Sequence, residues 1–297
     1  MNDIVYVWTK DNLRLAGNHY ESGNKRVGVL IVHGMSGNII ENYWGNVVGR
    51  ALQKNGFGCV FSHNRGYNHI NDIVVREMNE QNAFKSVRVG AVYERFEDSV
   101  YDIDAWYRHM TELGYKKIIL MGHSLGCNKV THYIYKKNPK NLAGVILLSP
   151  PDMVANAKES GESKIYQQLV NEAKKNIAEG NPRKLLTPML WNWYNLSSQT
   201  FLDLFVDGCP ADNLPLMRNP KSFPELESIK VPALAIVGEH DDIVVRSIED
   251  DLSLLKEKAI NIPSFERFIL PGASHTYDNR EAELSEYLIG WLKKNKF

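Results

Sequence analysis

Ser124 stands in a setting whose residue types and spacing suit nucleophilic catalysis. It is the central residue of Gly122-His123-Ser124-Leu125-Gly126, a G-x-S-x-G pattern with an apolar stretch directly before it and a helix-like stretch directly after it. A sharp strand-to-helix turn of this kind forces the serine into a strained conformation with its hydroxyl exposed. The pattern predicts a nucleophile at Ser124, and the alternative interpretation is a structural turn with an incidental serine.

Two further residues could activate that hydroxyl. A serine needs a base to remove its proton, and the base must be a histidine held in one tautomer by a carboxylate. Asp241, in the sequence G-E-H-D, and His275, in G-A-S-H, each follow an apolar stretch, in the expected order along the chain. Asp242 and Glu239 are the alternatives for the acid.

These residues need a sheet to position them, and the chain alternates apolar stretches with stretches of helical spacing. Such alternation implies right-handed crossovers and a mostly parallel sheet in an α/β fold. Residues 63–88 are polar and predict a long loop. Strands are predicted over residues 27–32, 58–62, 117–121, 142–148, 231–237 and 265–270 after a hairpin through residues 5–15, and helices over residues 42–54, 96–113, 126–137, 164–178 and 280–293.

The pattern changes after residue 150, where the connection is too long for a plain loop. The sequence predicts an α/β core from residues 1–150 and 228–297, with residues 151–227 as a mainly helical cap over the sheet. Aromatic side chains crowd within this cap. We expect them to form the cap's own core and in part to line an apolar cleft over Ser124; the candidate substrate-binding residues are Trp191, Trp193, Phe201 and Phe205.

Four motifs in order make the chain similar to the α/β-hydrolase superfamily: Ile31-Val32-His33-Gly34, the turn around Ser124, G-E-H-D and G-A-S-H. The resemblance covers nearly the whole chain. It implies an eight-stranded core with the cap inserted after the sixth strand, and a triad of Ser124, His275 and Asp241.

The resemblance also bears on the oxyanion hole. The residue after the nucleophile, Leu125, would donate one backbone N–H, and by resemblance Met35 would donate the second. The chain departs from the superfamily at Asp242, where relatives often carry proline, and at Asn64, where they often carry aspartate in a structural role.

Composition excludes several other classes of function. The 35 Lys and Arg residues balance 35 Asp and Glu residues, so no nucleic-acid surface is indicated. No G-x-G-x-x-G or phosphate loop is present, and the spacing of His63, His69 and Asp72 matches no standard metal site, so we predict no cofactor and no metal. Three widely spaced cysteines, with neither a signal peptide nor a membrane-spanning stretch in the sequence, predict a cytoplasmic protein.

Together these observations predict a serine hydrolase that cleaves a carboxylic ester through an acyl-enzyme. The expected substrate is a small ester or lactone, including macrolactones, with a bulky or apolar group. Thioester hydrolysis and acyl transfer would use the same triad. A ligand-binding protein that keeps the fold with little turnover is the alternative from another class, and a purely structural interaction module is a third.

Overall fold

Eight strands form one central sheet in the computed structural model, which describes residues 2–76, 84–159, 163–218, 221–244 and 247–297. Numbered along the chain with two strands of a separate hairpin, they are β1 (Asn2–Trp8), β2 (Arg14–Tyr20), β3 (Val27–Val32), β4 (Gly58–Ser62), β7 (Lys117–His123), β8 (Leu142–Leu148), β9 (Ala233–His240) and β10 (Phe265–Ser274). The hairpin consists of β5 (Asn71–Arg76) and β6 (Phe84–Val89).

The strand order in the sheet is β1-β2-β4-β3-β7-β8-β9-β10. Only the β1–β2 and β2–β4 pairs are antiparallel, and the remaining pairs are parallel. The predicted eight-stranded, mostly parallel sheet is therefore confirmed. Strand β7, which leads to Ser124, lies in the middle of the sheet between β3 and β8.

Helices cover both faces of this sheet. They are α1 (Tyr43–Lys54), α2 (Ser99–Glu112), α3 (Leu125–Lys137), α4 (Met153–Glu159), α5 (Ser163–Ala178), α6 (Ser198–Phe205), α7 (Pro224–Glu227), α8 (Ile248–Lys258) and α9 (Glu281–Lys294), with a 3₁₀ turn over Phe96–Asp98 before α2. Each long helix has an apolar side that packs on the sheet or on its neighbours.

Strand β3 shows why the sheet needs helices on both sides. All six of its residues are buried. Because successive side chains of a strand point to opposite faces, Leu30 and Val32 pack in the core beneath α2 and α3, whereas Val29 and Ile31 pack in the core beneath α1 and α9. A continuous apolar run is the pattern expected of a parallel strand buried on both faces.

The prediction of a long loop over residues 63–88 is wrong in part, because β5 and β6 form an antiparallel hairpin in this interval. Ile73 is buried against the main core, while most of the other β5 side chains are half-buried or exposed. One buried side chain in a polar strand leaves little periodic signal in the sequence, and the hairpin was missed for this reason.

Helices α4 to α7 lie between β8 and β9, the interval predicted to be a helical cap. Fifteen buried side chains, mostly from this interval, form a third cluster, which also includes Leu125 at the start of α3. The division into core and cap stays a prediction. Among the described residues, no helix is both long and apolar enough to cross a membrane.

Candidate active site

Ser124 occupies the sharp turn between β7 and α3. Its backbone has φ 54° and ψ −131°, a left-handed conformation that is strained for a serine. The turn is tight enough to require glycine nearby, since a Cβ on Gly126 would lie 2.2 Å from the Val32 carbonyl oxygen and one on Gly34 would lie 2.7 Å from Ser124 Cβ. The chain therefore holds the serine side chain out from the end of the central strand.

His275 and Asp241 are hydrogen-bonded to each other. His275 Nδ1 lies 2.9 Å and 3.1 Å from the two carboxylate oxygens of Asp241, whose side chain is 1% exposed. Burial alone would raise the pKa of this carboxyl, but the hydrogen bond and charge of His275 and the Ile243 N–H hold it below its usual value. Because the ionised carboxylate only accepts, Nδ1 of His275 carries a proton and Nε2 is left as the basic nitrogen.

The two alternative acids occupy other places. Asp242 is exposed on the rim of the cavity above Ser124. Glu239 accepts a hydrogen bond from the Gly272 N–H at 2.8 Å, which joins the ends of β9 and β10. Of the three candidates, Asp241 is the one that contacts the imidazole.

Among the described residues, no hydrogen bond joins Ser124 Oγ to the His275 ring, although both side chains line the same cavity. Catalytic hydrogen bonds are often long without substrate and tighten in the complex.

Residues 33–37, which we call the oxyanion loop after their predicted role, face Ser124 from the end of β3. Met35 and Leu125 both line the cavity beside the serine. Within the described part of the chain, neither backbone N–H has a hydrogen-bond partner, in contrast to Ser124, whose N–H donates to the Leu148 carbonyl at 2.9 Å. Two free donors beside the Ser124 hydroxyl are what a tetrahedral oxyanion would require if this serine were the nucleophile.

A chain of buried polar groups holds the oxyanion loop in place. His33 Nδ1–H donates to the Gly34 carbonyl at 2.8 Å, and His33 Nε2 accepts from the Asn64 N–H at 3.1 Å. The Asn64 side-chain amide donates to the His33 carbonyl at 3.1 Å. Burial lowers the pKa of His33 well below its ordinary value, so the ring stays neutral in this arrangement.

A buried ion pair lies beneath this chain. Lys129 Nζ donates to Glu94 Oε2 at 2.8 Å and to Asn64 Oδ1 at 3.1 Å, and both charged side chains are at most 1% exposed. Asparagine suits position 64 because an aspartate would set a second carboxylate against Lys129 and could not donate to His33. Lys129 and Glu94 could not be picked out from the sequence, since charged residues on a helix and a loop are usually solvated.

Two of the residues considered as metal ligands, His63 and Asp72, have structural partners. His63 accepts the Ile39 N–H at 3.1 Å and stacks on Tyr67 with ring centroids 4.0 Å apart. Asp72 pairs with Arg88 on the surface of the hairpin. In the described ranges, no group of three His, Cys, Asp or Glu residues could hold a metal ion.

The cap wall, residues 191–194, closes the other side of the cavity. Trp191, Trp193 and Tyr194 all line it, and Trp193 is 51% exposed at its rim. Phe201 and Phe205 are fully buried within the cap cluster and, although both are described, are not among the lining residues. The structure thus separates the four predicted aromatic residues into two on the cavity and two beneath it.

The cavity between the oxyanion loop and the cap wall has a volume of about 760 Å³. That is within the usual range for a site that binds a small molecule. Ser124, His275 and the free N–H groups lie at its base. The arrangement can present an activated hydroxyl to a carbonyl carbon while two donors accommodate the carbonyl oxygen.

Several solved structures are similar to this one over nearly their whole length. An esterase from Pyrococcus furiosus, Pf2001, has a TM-score of 0.62 at 17% identity, covering 100% of this chain and 91% of the other. Est1E from Butyrivibrio proteoclasticus with bound ferulic acid has a TM-score of 0.64 at 14% identity, covering 98% of each chain. The α/β-hydrolase GrgF from Penicillium sp. sh18 has a TM-score of 0.65 at 16% identity, covering 100% of each chain.

No curated protein matches the chain significantly. A family model described as "Protein of unknown function (DUF1749)" matches residues 74–293, about three quarters of the chain. The similarity to solved structures at these identities establishes the fold, which is the α/β-hydrolase fold. The chain belongs to the DUF1749 family.

Proposed function

We propose that the protein is a serine hydrolase that cleaves a carboxylic ester through an acyl-enzyme on Ser124. The observation that carries the proposal is the meeting of three features at one cavity. These are a strained serine at the strand end, an imidazole whose Nδ1 is held by a buried carboxylate, and two free backbone N–H groups. Each feature has a structural explanation alone, but together they form the set that acyl transfer needs.

The reaction follows from the positions of these groups. His275 Nε2 takes the proton from Ser124 Oγ as Oγ bonds to the ester carbonyl carbon, and the Met35 and Leu125 N–H groups stabilise the resulting oxyanion. The intermediate collapses as the C–O bond to the alcohol breaks, and the imidazolium gives its proton to the departing oxygen. Water then attacks the acyl-enzyme by the same steps and releases the acid and free Ser124.

The ester class is supported by the chemistry of the nucleophile and by the relatives. A serine at the turn favours acyl transfer over epoxide or haloalkane hydrolysis, which would use a carboxylate nucleophile. Among the similar structures, Pf2001 is an esterase and Est1E holds ferulic acid. Within this class, a lactone is an internal ester that the same groups would open, and thioester hydrolysis or acyl transfer to an alcohol would use the same acyl-enzyme.

The cap supports a preference for bulky or apolar groups. Residues 151–227 supply an aromatic wall opposite the oxyanion loop, with Trp193 half-exposed at the mouth. Aromatic faces of this kind bind apolar surface with defined geometry. We expect them to set the chain length or ring size of the substrate.

The state of the cysteines is compatible with a reducing compartment. All three cysteines, Cys59, Cys127 and Cys209, are unpaired, and the first two are buried. Free thiols are usual in the cytoplasm, and we include that location in the proposal.

A low-turnover binding protein is the second candidate, and the observation that favours it is the absent hydrogen bond between Ser124 and His275. The two candidates differ in one assay, the hydrolysis of short and long p-nitrophenyl esters. The ester-hydrolase proposal predicts turnover that falls by about 10⁴-fold or more in Ser124→Ala. Ser253→Ala, the same chemical change at an exposed position of α8, should keep wild-type turnover.

The outcome decides between the two candidates. Hydrolysis that depends on Ser124 supports the hydrolase, and its chain-length profile measures the apolar extent of the cavity. A wild-type protein with no turnover and no labelling by a fluorophosphonate would overturn the hydrolase in favour of the binding protein. Turnover that survives in Ser124→Ala would move the chemistry to another residue.

A further inference from the structure

His123, the residue just before the nucleophile, makes a contact that the triad does not include. Its Nε2 lies 2.8 Å from the main-chain carbonyl oxygen of His275. Because a carbonyl oxygen only accepts, Nε2 of His123 must carry the proton. Burial, and then the nearby His275, lower the pKa of His123 to about 3, so the ring is neutral at ordinary pH. A neutral imidazole has one N–H donor, and in His123 that donor makes the bond to the His275 carbonyl.

The sheet topology explains why such a contact matters. Strands β7 and β10 are separated by β8 and β9 in the strand order, so no ladder of backbone hydrogen bonds joins the Ser124 turn to the His275 loop. The ladder between β9 and β10 ends with Ser274 opposite His240. From that point the chain must fold back over the sheet to bring the imidazole to Ser124, and the next residue, His275, is the one that His123 binds.

The His123 ring is fixed on its other sides as well. It packs against the fully buried Trp44 with ring centroids 5.1 Å apart, and against the His275 ring at 4.9 Å. Tyr277, two residues beyond the base, lies at 6.0 Å and donates its own hydroxyl to the Ile236 carbonyl at 3.0 Å. Together these contacts hold both ends of the turn that carries the base.

We propose that His123 is a positioning residue for the catalytic base: its Nε2–H holds the His275 main chain so that the imidazole lies between Asp241 and Ser124. This inference depends on the proposed function, because it assigns His123 a role through His275. The neutral ring also adds no second cation beside the imidazolium that forms during the reaction. The titratable groups that face it are His275, Asp241, Tyr277 and His33.

Two substitutions separate positioning from packing. His123→Gln keeps a side-chain N–H that can reach the same carbonyl, whereas His123→Phe keeps an aromatic ring in contact with Trp44 but has no donor. A buried carbonyl left without its donor costs on the order of a factor of 10 to 100 in the population of the productive arrangement. We expect kcat to fall by that factor in His123→Phe with KM within about twofold, and His123→Gln to recover most of the loss.

The control measurements exclude a merely structural role. The kcat values are divided by the fraction of chains that a fluorophosphonate labels at long times, and the melting temperatures of both variants are measured. Positioning predicts that the normalised kcat differs between Phe and Gln even where their melting temperatures agree. Equal normalised kcat values in wild type and both variants would overturn the inference while leaving the role of Ser124 intact. A wild type that is neither active nor labelled would overturn the proposed function instead.

A second readout needs no activity. Long-range ¹H–¹⁵N spectra of the histidine rings report which nitrogen carries the proton, and the His123 signals are assigned by their loss in His123→Gln. The inference requires the neutral Nε2–H form, unchanged between pH 8 and about pH 5. A neutral Nδ1–H form could not donate to the His275 carbonyl and would overturn the inference, whatever the kinetics show.

Discussion

The two sides of the cavity above Ser124 are built in different ways. On one side, the oxyanion loop is held by buried polar groups, from the Gly34 carbonyl through His33 and Asn64 to the ion pair of Lys129 and Glu94. On the other side, the cap wall presents aromatic faces, and Trp193 is 51% exposed. The conformation of the oxyanion loop is fixed by directional hydrogen bonds among buried groups, whereas the cap wall offers mainly an apolar surface of a given shape.

This difference indicates that the two sides of the cavity have different roles. Directional bonds among buried groups fix atoms closely, because each group that loses its partner remains desolvated. Apolar contact is tolerant of shape, and a half-exposed ring can change partners at little cost. We infer that the core side sets the chemistry and the cap side sets which substrate receives it.

Removing the acid should produce the largest change. In Asp241→Asn, the imidazole loses the carboxylate that fixes its tautomer, and we expect kcat to fall by about 10⁴-fold with little change in stability. Asp242→Asn is the matched control, since Asp242 is exposed and lies next in sequence. Ester hydrolysis by the two variants is the measurement, and a larger loss in Asp242→Asn would reverse the assignment.

Breaking the buried ion pair should cost the next largest amount, in stability. Lys129→Met leaves the Glu94 carboxyl buried without its cation, so that it must either stay charged or take up a proton on folding, and we expect the free energy of unfolding to fall by about 3–5 kcal/mol in urea titrations. The exposed neighbour Lys136→Met should change it by less than about 0.5 kcal/mol. If the loss comes from the broken ion pair, the double variant Lys129→Met/Glu94→Gln should recover part of it. Equal stability of Lys129→Met and Lys136→Met would contradict a stabilising ion pair.

His63 should make stability depend on pH. Burial lowers the pKa of His63 from 6.5 to about 4 in the folded protein. The unfolded chain therefore takes up a proton at this residue from about pH 6.5 downward while the folded chain does not, so stability is lost as the pH falls from about 6.5 to about 4. The expected loss from this residue is about 3 kcal/mol.

The measurement for this prediction is the urea midpoint at several pH values between 7.5 and 4.5. His63→Gln, whose amide oxygen can still accept the Ile39 N–H, should flatten the curve relative to wild type. His240→Gln, at an exposed position, should leave the wild-type slope unchanged. A wild-type slope in His63→Gln would contradict the account of this buried ring.

The smallest effect is expected at the cap wall. Trp193→Ala removes a half-exposed ring, so stability should change by less than about 1 kcal/mol, while the preference between long and short esters shifts by about 3- to 10-fold in kcat/KM. Phe205→Ala is the reciprocal case, since its ring is fully buried and should cost about 3–5 kcal/mol of stability without shifting the preference. If Trp193→Ala and Phe205→Ala changed both the stability and the ester preference by similar amounts, the distinction between the cap wall and the buried cap cluster would be wrong.

Much of the fold could be predicted because buried parallel strands leave a clear signal. The apolar stretch at residues 27–32 coincides with β3, and G-x-S-x-G marks the start of α3. Strand ends were less predictable: β10 continues to Ser274, past its predicted end at residue 270, because pairing with β9 resumes there after an irregularity. Only tertiary contact shows that.

The candidate site also has a part that could be predicted from the sequence and a part that could not. Short motifs located Ser124, Asp241 and His275, because turns at strand ends are local in sequence. In the structure, Ser124 and His275 line one cavity and Asp241 is hydrogen-bonded to His275 behind it. The bonds that hold them are not local. Lys129 and Glu94 are 35 residues apart, and His123 and His275 are 152 residues apart, so no periodicity or spacing connects them.

The most direct test of the account is the site of covalent labelling. A fluorophosphonate should label one residue per chain in the wild-type protein, and mass spectrometry of the digested adduct should locate it at Ser124. The adduct should be absent in Ser124→Ala and retained in Ser253→Ala. An unlabelled wild-type protein, or an adduct that maps elsewhere and persists in Ser124→Ala, would contradict the assignment of Ser124 as the nucleophile.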